Sequence, residues 1–325
     1  LPEAAIEIFV GGYMGALTSP EAVAGTVKTR KGWNFRKYEA VAGYSFILPS
    51  VLTIMVFTVI PIFIAIGLVF MEYDILSPAK FVGFENIKMI FKDARLGNSY
   101  LVTLRFVVLA TLINNVLGIL LAVGVNRSMP GFLKYIFRTT LFFPVLTTSA
   151  SLAVVWRFLM ANDRGILNYL INQLGLPSVP WISSTEFAIY SVVIYDVWRA
   201  CGYMMVLYLA GLQGIPEQYY EAAKIDGANS FQLFRYITLP LLSPTAFFCV
   251  VTSIIGAAQV FDNAMVLTGG GPQDATRLIA LYIYEKGFKA FEMGYASTVS
   301  VTLLIILLLI TLFQFWFSKK WVNYE

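Results

Sequence analysis

Few residues in this chain are equipped for chemistry, and the clearest group sits inside an apolar run. Asp196, Arg199 and Tyr203 are spaced three and four apart, which puts them on one face of a helix. A charge near the centre of a membrane helix costs ~2.5–3.5 kcal/mol, so an acid and a base retained there call for a reason. Two readings are open: an ion pair packed between helices, or a polar lining whose carboxylate and guanidinium hydrogen-bond a passing cargo. Arg105 and Arg157 lie nearer the ends of their apolar runs, where long side chains reach the headgroups, and receive no site role. Histidine is absent, which removes histidine metal sites and histidine-based triads. No Gly-rich Lys-Ser/Thr phosphate loop occurs either, so any ATP hydrolysis belongs to another chain. The reading therefore assigns no catalytic residue, no metal site and no cofactor to this chain. Cys201 and Cys249 both fall in apolar runs and are expected as packing thiols.

A second set of polar residues forms an island, Glu217 to Pro240. Pro216 suits the entry to a helix and Glu217 suits the positive end of its dipole, so a helix should begin there. It should stop at Gly227, the residue best able to adopt the left-handed backbone that ends a helix. A second helix is expected from Ala228 to Ile237, with Phe231, Phe234 and Ile237 on one apolar face. Taken by itself, the island also suits an amphipathic helix lying on a membrane surface.

The elements that must hold these groups are membrane spans. With 58% hydrophobic and 13% charged residues the chain falls far outside soluble composition, where charged residues reach ~25%. The net charge of +4 is dispersed over loops and implies no nucleic-acid partner. Six apolar segments, at about 42–70, 100–125, 139–160, 187–212, 241–262 and 293–317, each approach the ~20 residues a spanning helix needs. The fold class expected is an all-α membrane protein with six transmembrane helices, kinked at Pro49, Pro61 and Pro144. Residues 1–40 read as a cytoplasmic arm. The apolar stretch Ile6–Leu17 is too short to span and, carrying Glu3 and Glu7 ahead of it or within it, suits an interfacial helix better than a signal peptide. Lys28, Arg30, Lys31, Arg36 and Lys37 precede the first span. Arg127, Lys134 and Arg138 flank the second connection, and Lys319 and Lys320 follow the last span. Together they place both termini in the cytoplasm, with 41–318 as the transmembrane domain, 213–240 as its polar loop and 319–325 as a tail. Lys80, Lys88, Lys92 and Arg95 in the first outer loop run against that bias.

The spacing of the island resembles a known signature. Glu221-Ala222-Ala223, three residues, Gly227, nine residues, then Ile237-x-Leu239-Pro240 is similar to the EAA loop of permease subunits from binding-protein-dependent ABC importers. Phe81-Val82-Gly83-Phe84-Glu85-Asn86 and Leu267-Thr268-Gly269-Gly270-Gly271-Pro272 resemble the carbohydrate-importing branch. Leu281-Tyr282-Ile283-Tyr284 and Gly294-Tyr295-Ala296-Ser297 extend that likeness, which covers about residues 40–322.

The resemblance implies a type I ABC importer permease fold in the cytoplasmic (inner) membrane, with a cytoplasmic EAA coupling loop. It also implies a second permease subunit, two ATP-binding subunits holding ATP and Mg, and an extracytoplasmic substrate-binding protein. Glu221, Ala222, Ala223, Asp226 and Gly227 are then the residues that dock on the ATPase, with Glu221 offering a carboxylate to a basic group. Matching the maltose-type permeases of this branch implies a substrate pathway through Val145, Ser149, Asp196, Arg199, Ala200, Tyr203, Ser253, Gly256 and Ala257. Gly256 and Ala257 replace a bulky aromatic and an amide of that pattern, which implies either a wider pocket or one that meets its ligand mainly through the partner permease. The expected function is ATP-driven import of a sugar or oligosaccharide by alternating access: an acidic uronate-containing sugar if Arg199 reads a carboxylate, or a neutral one hydrogen-bonded by Asp196, Tyr203 and Ser149 if Asp196 occupies the guanidinium. A proton-coupled secondary transporter using Asp196 or Asp262 is the alternative, and it leaves the spacing of the island unexplained.

Overall fold

A computed structural model describes residues 33–126 and 130–323, with side chains from residue 37 onward in the first helix. The expected interfacial helix within Ile6–Leu17, the basic residues Lys28, Arg30, Lys31 and Arg127, and the last two residues of the tail lie outside the described residues. The chain divides into two compact units, Leu1–Pro61 and Ile62–Glu325.

The first unit holds helix α1 (Trp33–Ile54) and a π turn over Met55–Val59, after which α2 (Ile60–Leu68) begins. Pro61 accounts for the turn: its ring removes one backbone donor and crowds the carbonyl four residues earlier, so the helix widens just before it. A π turn at Phe234–Thr238 stands in the same relation to Pro240.

In the second unit a hairpin of β1 (Met71–Glu72) and β2 (Lys80–Phe81) pairs antiparallel with Met71 opposite Phe81. Helix α3 (Glu85–Lys92) follows, and Asp93 opens α4 (Ala94–Asn126) by accepting the backbone N–H groups of Arg95 and Leu96. Next come α5 (Gly131–Leu146), α6 (Ser149–Leu159), α7 (Ile166–Gln173) and α8 (Ala188–Gln213). The polar island forms α9 (Glu217–Ile225), α10 (Ser230–Leu233), the π turn and α11 (Leu239–Leu241). The chain ends with α12 (Ser243–Ala258), α13 (Asp262–Leu267), α14 (Ile279–Tyr284), a third π turn over Glu285–Lys289 and α15 (Met293–Ser318).

Among the described residues, four helical stretches are long and apolar enough to cross a membrane: Lys37–Leu68, Ala94–Asn126, Ala188–Gln213 and Met293–Ser318. Two further spans are bent pairs, α5 with α6 at 101°, and α10–α11 with α12 at 65°. The count of six thus holds when each bent pair is one span, but the third span, expected to be kinked at Pro144, is broken, and the fifth is bent at its start, between Leu241 and Ser243. Pro144 lies two residues before the end of α5, and Thr147 and Thr148 are extended, so the chain turns there rather than merely kinking.

The core forms where α4 packs along α8, with α12 and α5 closing on either side. Phe106, Val192, Val193, Tyr195 and Leu278 centre one buried cluster, and Met205, Tyr208 and Leu242 centre a second. Small residues set the approach of the helices. A Cβ on Gly202 would lie 1.8 Å from the Leu141 carbonyl oxygen, and one on Gly118 2.7 Å from the Met204 Cβ. Cys201 and Cys249 are buried free thiols, as their placement in apolar runs suggests.

Candidate functional site

Helix α8 carries Asp196, Arg199, Ala200 and Tyr203 into one cavity of about 210 Å³, completed by Thr111 and Asn114 from α4 and by Ser253, Gly256 and Ala257 from α12. A second cavity, of about 300 Å³, is lined by Ser149, Arg199, Gly256, Asp262 and Asn263. Arg199, Gly256 and Val260 border both, so the two spaces meet at the guanidinium. The break that separates α12 from α13 makes the second space possible: Gln259 to Phe261 leave the helix and line it.

Of the two readings open for Asp196 and Arg199, the ion pair does not form. Asp196 is buried, and its Oδ1 accepts from Asn263 Nδ2 at 2.7 Å and its Oδ2 from Asn114 Nδ2 at 3.3 Å. Two neutral amides, Asn263 of α13 and Asn114 of α4, hold the carboxylate. The Arg199 Nε is buried without a hydrogen-bond partner, as are Asn114 Oδ1 and Thr111 Oγ1. Unpaired buried polar atoms are costly, and three of them belong to residues that line one cavity.

Asn263 also ties the bend of the third span into this arrangement. Ser149, the first residue of α6, donates to Asn263 Oδ1 at 2.7 Å, and Tyr195 donates to the Ser149 carbonyl at 2.6 Å. Deeper along α4 and α8, Tyr208 donates to Asn115 Oδ1 at 2.6 Å while Asn115 Nδ2 reaches the Thr111 carbonyl and Ser253 Oγ. Of the nine pathway residues named from sequence, Ser149, Asp196, Arg199, Ala200, Tyr203, Ser253, Gly256 and Ala257 line one or both cavities. Val145 lines neither, because it belongs to α5, before the 101° turn. Asn114, Asn115, Tyr195 and Asn263 went unassigned from sequence. The signal for the first two was present, an adjacent pair of amides in the middle of an apolar run.

The polar island has the form its sequence suggests at its first helix and departs from it at the second. Gly227, at φ +84°, ends α9: its N–H donates to the Lys224 carbonyl and that of Ala228 to the Ala223 carbonyl, the Schellman arrangement. The second helix starts at Ser230 rather than Ala228, because the Asn229 side chain caps Gln232 N–H while the Gln232 side chain returns the bond. Phe231 is exposed rather than covered with Phe234 and Ile237. Tyr220 and Thr238 hydroxyls meet at 3.1 Å and hold α9 against the π turn. Glu221, Ala222, Asp226 and Gly227 are exposed and Ala223 is half-buried, beside a concavity of about 270 Å³ that Ala223, Asp226 and Gly227 line. Ile225 at 87% exposure and Phe231 at 73% rim this otherwise polar segment.

At the other end of the helices the Gly-rich segment is pinned by charge. Asp274 accepts from Arg95 at 2.6 Å and from Arg277 at 2.6 Å, and these contacts hold its carboxyl down at about 2. Asp93 accepts from Tyr295 at 2.7 Å and from Tyr282; burial opposes its ionisation, but these bonds together with the Leu96 N–H keep its carboxyl below the usual range.

Residues 114–323 match the family described as binding-protein-dependent transport system inner membrane component. A probable ABC transporter permease protein, YesP, of Bacillus subtilis (strain 168) is 36% identical over 301 residues, 91% of this chain and 96% of that protein. The trehalose/maltose transport system permease protein MalF of Thermococcus litoralis is 32% identical over 275 residues, 84% of this chain and 92% of the relative. Among solved structures, a chain of a bacterial ABC transporter involved in the import of the acidic polysaccharide alginate superposes with TM-score 0.78 at 23% identity. That superposition covers 90% of this chain and 99% of the other, and establishes a common fold. This chain belongs to the family of binding-protein-dependent transport system inner membrane components.

Proposed function

We propose that this chain is the membrane-spanning permease subunit of an ATP-driven importer whose cargo is a carbohydrate bearing a carboxylate. The carbohydrate part draws on relatives named for trehalose and maltose and for arabinooligosaccharides. The acidic part rests on one observation: Asp196 is occupied by Asn263 and Asn114, which leaves the Arg199 guanidinium at the junction of two polar cavities without an ion-pair partner among the described residues. A planar guanidinium takes a carboxylate through two parallel hydrogen bonds. Tyr203 offers a ring to a sugar face, Ser149 and Ser253 offer hydroxyls, and Gly256 leaves open space where a larger residue would fill the passage.

In this reading Glu221, Ala222, Ala223, Asp226 and Gly227 dock on an ATPase subunit, which supplies ATP and Mg binding, and a second permease completes the pathway. An extracytoplasmic binding protein delivers the sugar. Nucleotide-driven closure of the ATPases rocks the permeases between inward-open and outward-open states, with no covalent step in this chain. Both termini face the cytoplasm, in keeping with Lys134 and Arg138 at one membrane face and Lys319 and Lys320 after the last span. Membership in a binding-protein-dependent family leaves the proton-coupled alternative without support.

The test is the assembled complex reconstituted in vesicles, with its binding protein loaded with either a uronate oligosaccharide or a neutral one of equal length. ATPase stimulation should follow the acidic ligand and collapse in Arg199→Gln. Equal stimulation by both ligands, or an Arg199→Gln complex that still responds to the acidic one, refutes the carboxylate reading. Purification without accompanying ATPase subunits would refute the importer reading itself.

A further inference from the structure

A third cavity, of about 630 Å³, lies on the flank of the helix bundle and takes no part in the pathway above. One wall is α4, with Leu104, Arg105 and Val108; another is the start of α8, with Glu186 and Tyr190; Gln273 of the Gly-rich loop contributes to the rim. Arg105 and Glu186 are both exposed, and neither forms an ion pair among the described residues. A cation and an anion therefore line one space without neutralising one another.

The depth of this space follows from the sequence of α4. Phe106–Val125 is a run of twenty residues without a charge. At 1.5 Å per residue it spans about 30 Å, the thickness of the hydrocarbon layer. Arg105 is the residue next to that run, so it stands at headgroup level. Glu186 stands two residues before the first turn of α8 and Tyr190 within it, which is where an interfacial aromatic belongs. Below Arg105, Val108, Leu112, Val116 and Leu120 continue at four-residue intervals as an exposed apolar stripe down α4.

We propose that this cavity binds a phospholipid with a zwitterionic, primary-amine headgroup, of the phosphatidylethanolamine type. Arg105 takes the phosphate, Glu186 takes the ammonium two carbons away, and an acyl chain lies along the stripe from Val108 to Leu120. Both charges are needed for the choice. An anionic glycerol headgroup satisfies Arg105 but offers Glu186 only neutral hydroxyls, with no positive charge to pair with the carboxylate, and a choline headgroup has no N–H to donate to it. The proposal is independent of the cargo and of the transport reading.

The experiment uses the chain with whatever subunits accompany it, exchanged into equal amounts of dioleoyl phosphatidylethanolamine, phosphatidylcholine and phosphatidylglycerol, with retained lipid identified by native mass spectrometry. Phosphatidylethanolamine should be retained about tenfold over the other two, the size expected from one charge-assisted hydrogen bond. Glu186→Gln should abolish its advantage over phosphatidylcholine, and Arg105→Gln should lower retention of all three. A photo-crosslinking residue at position 108 of the otherwise unaltered chain covers the case in which Arg105→Gln fails to assemble, and it should capture lipid. Equal retention of the three lipids, unchanged retention in Arg105→Gln, or a crosslink to another polypeptide such as a second permease would each overturn the proposal.

Discussion

Replacing Asn263 by leucine, which has the same branching and number of side-chain heavy atoms, removes two hydrogen bonds: the 2.7 Å donation to Asp196 and the 2.7 Å acceptance from Ser149. A bond to a charged group contributes about 1.5–3 kcal/mol and a neutral one about 0.5–1.5, so the loss is roughly 2–4.5 kcal/mol if nothing rearranges. Rearrangement is available, because Arg199 is one helical turn from Asp196 and its Nε has no partner. Freed from Asn263, Asp196 should turn to the guanidinium, recovering part of the loss and withdrawing Arg199 from both cavities. A double-mutant cycle on thermal unfolding of the purified chain reads this directly. With Asn263 present, Arg199→Gln should cost less than in its absence, since no contact ion pair is lost. In Asn263→Leu, the same change should cost about 1 kcal/mol or more, and acidic-ligand stimulation should already be gone with Arg199 intact. An Arg199→Gln effect of equal size in both backgrounds would refute the idea that the amides keep acid and base apart.

Glu221→Ala and Gly227→Pro should leave the chain inserted but uncouple transport from ATP hydrolysis; binding-protein-stimulated transport at the normal rate in both variants rules out docking through this loop. Gly202→Ala places a methyl 1.8 Å from the Leu141 carbonyl oxygen, where ~3.3 Å or more is needed, so α5 must retreat from α8 at a cost of about 1–3 kcal/mol. A melting temperature of the purified chain unchanged by that substitution contradicts the close approach. Asp274 is held at about 2 against an unfolded value near 3.8, so it contributes stability above pH 3.8 that disappears as pH falls through 2. Since Arg95 is half exposed, screening reduces that contribution to roughly 1 kcal/mol. Unfolding of the unaltered chain and of Asp274→Asn should therefore converge between pH 4 and pH 2, and a constant gap over that range would be inconsistent with the pairing.

Local features were legible because local physics sets them. The six apolar runs of spanning length correspond to four long helices and two bent pairs, and proline and glycine at Pro216 and Gly227 delimited α9 because each restricts or frees its own backbone. The 101° turn of the third span was not legible from Pro144, since a proline in a membrane helix kinks or breaks according to what its freed carbonyls find nearby. The partner of Asp196 was beyond reach for the same reason. Helical spacing offered Arg199 three residues away, yet Asn263 and Asn114, 67 and 82 residues distant in sequence, hold the carboxylate. Periodicity places side chains on a face, and only the packing of α4, α8 and α13 decides which donors arrive there. The sequence by itself determined that a carboxylate and a guanidinium would share a polar face within the membrane. The tertiary structure decided that the carboxylate would be held by amides and the guanidinium left facing the cavities.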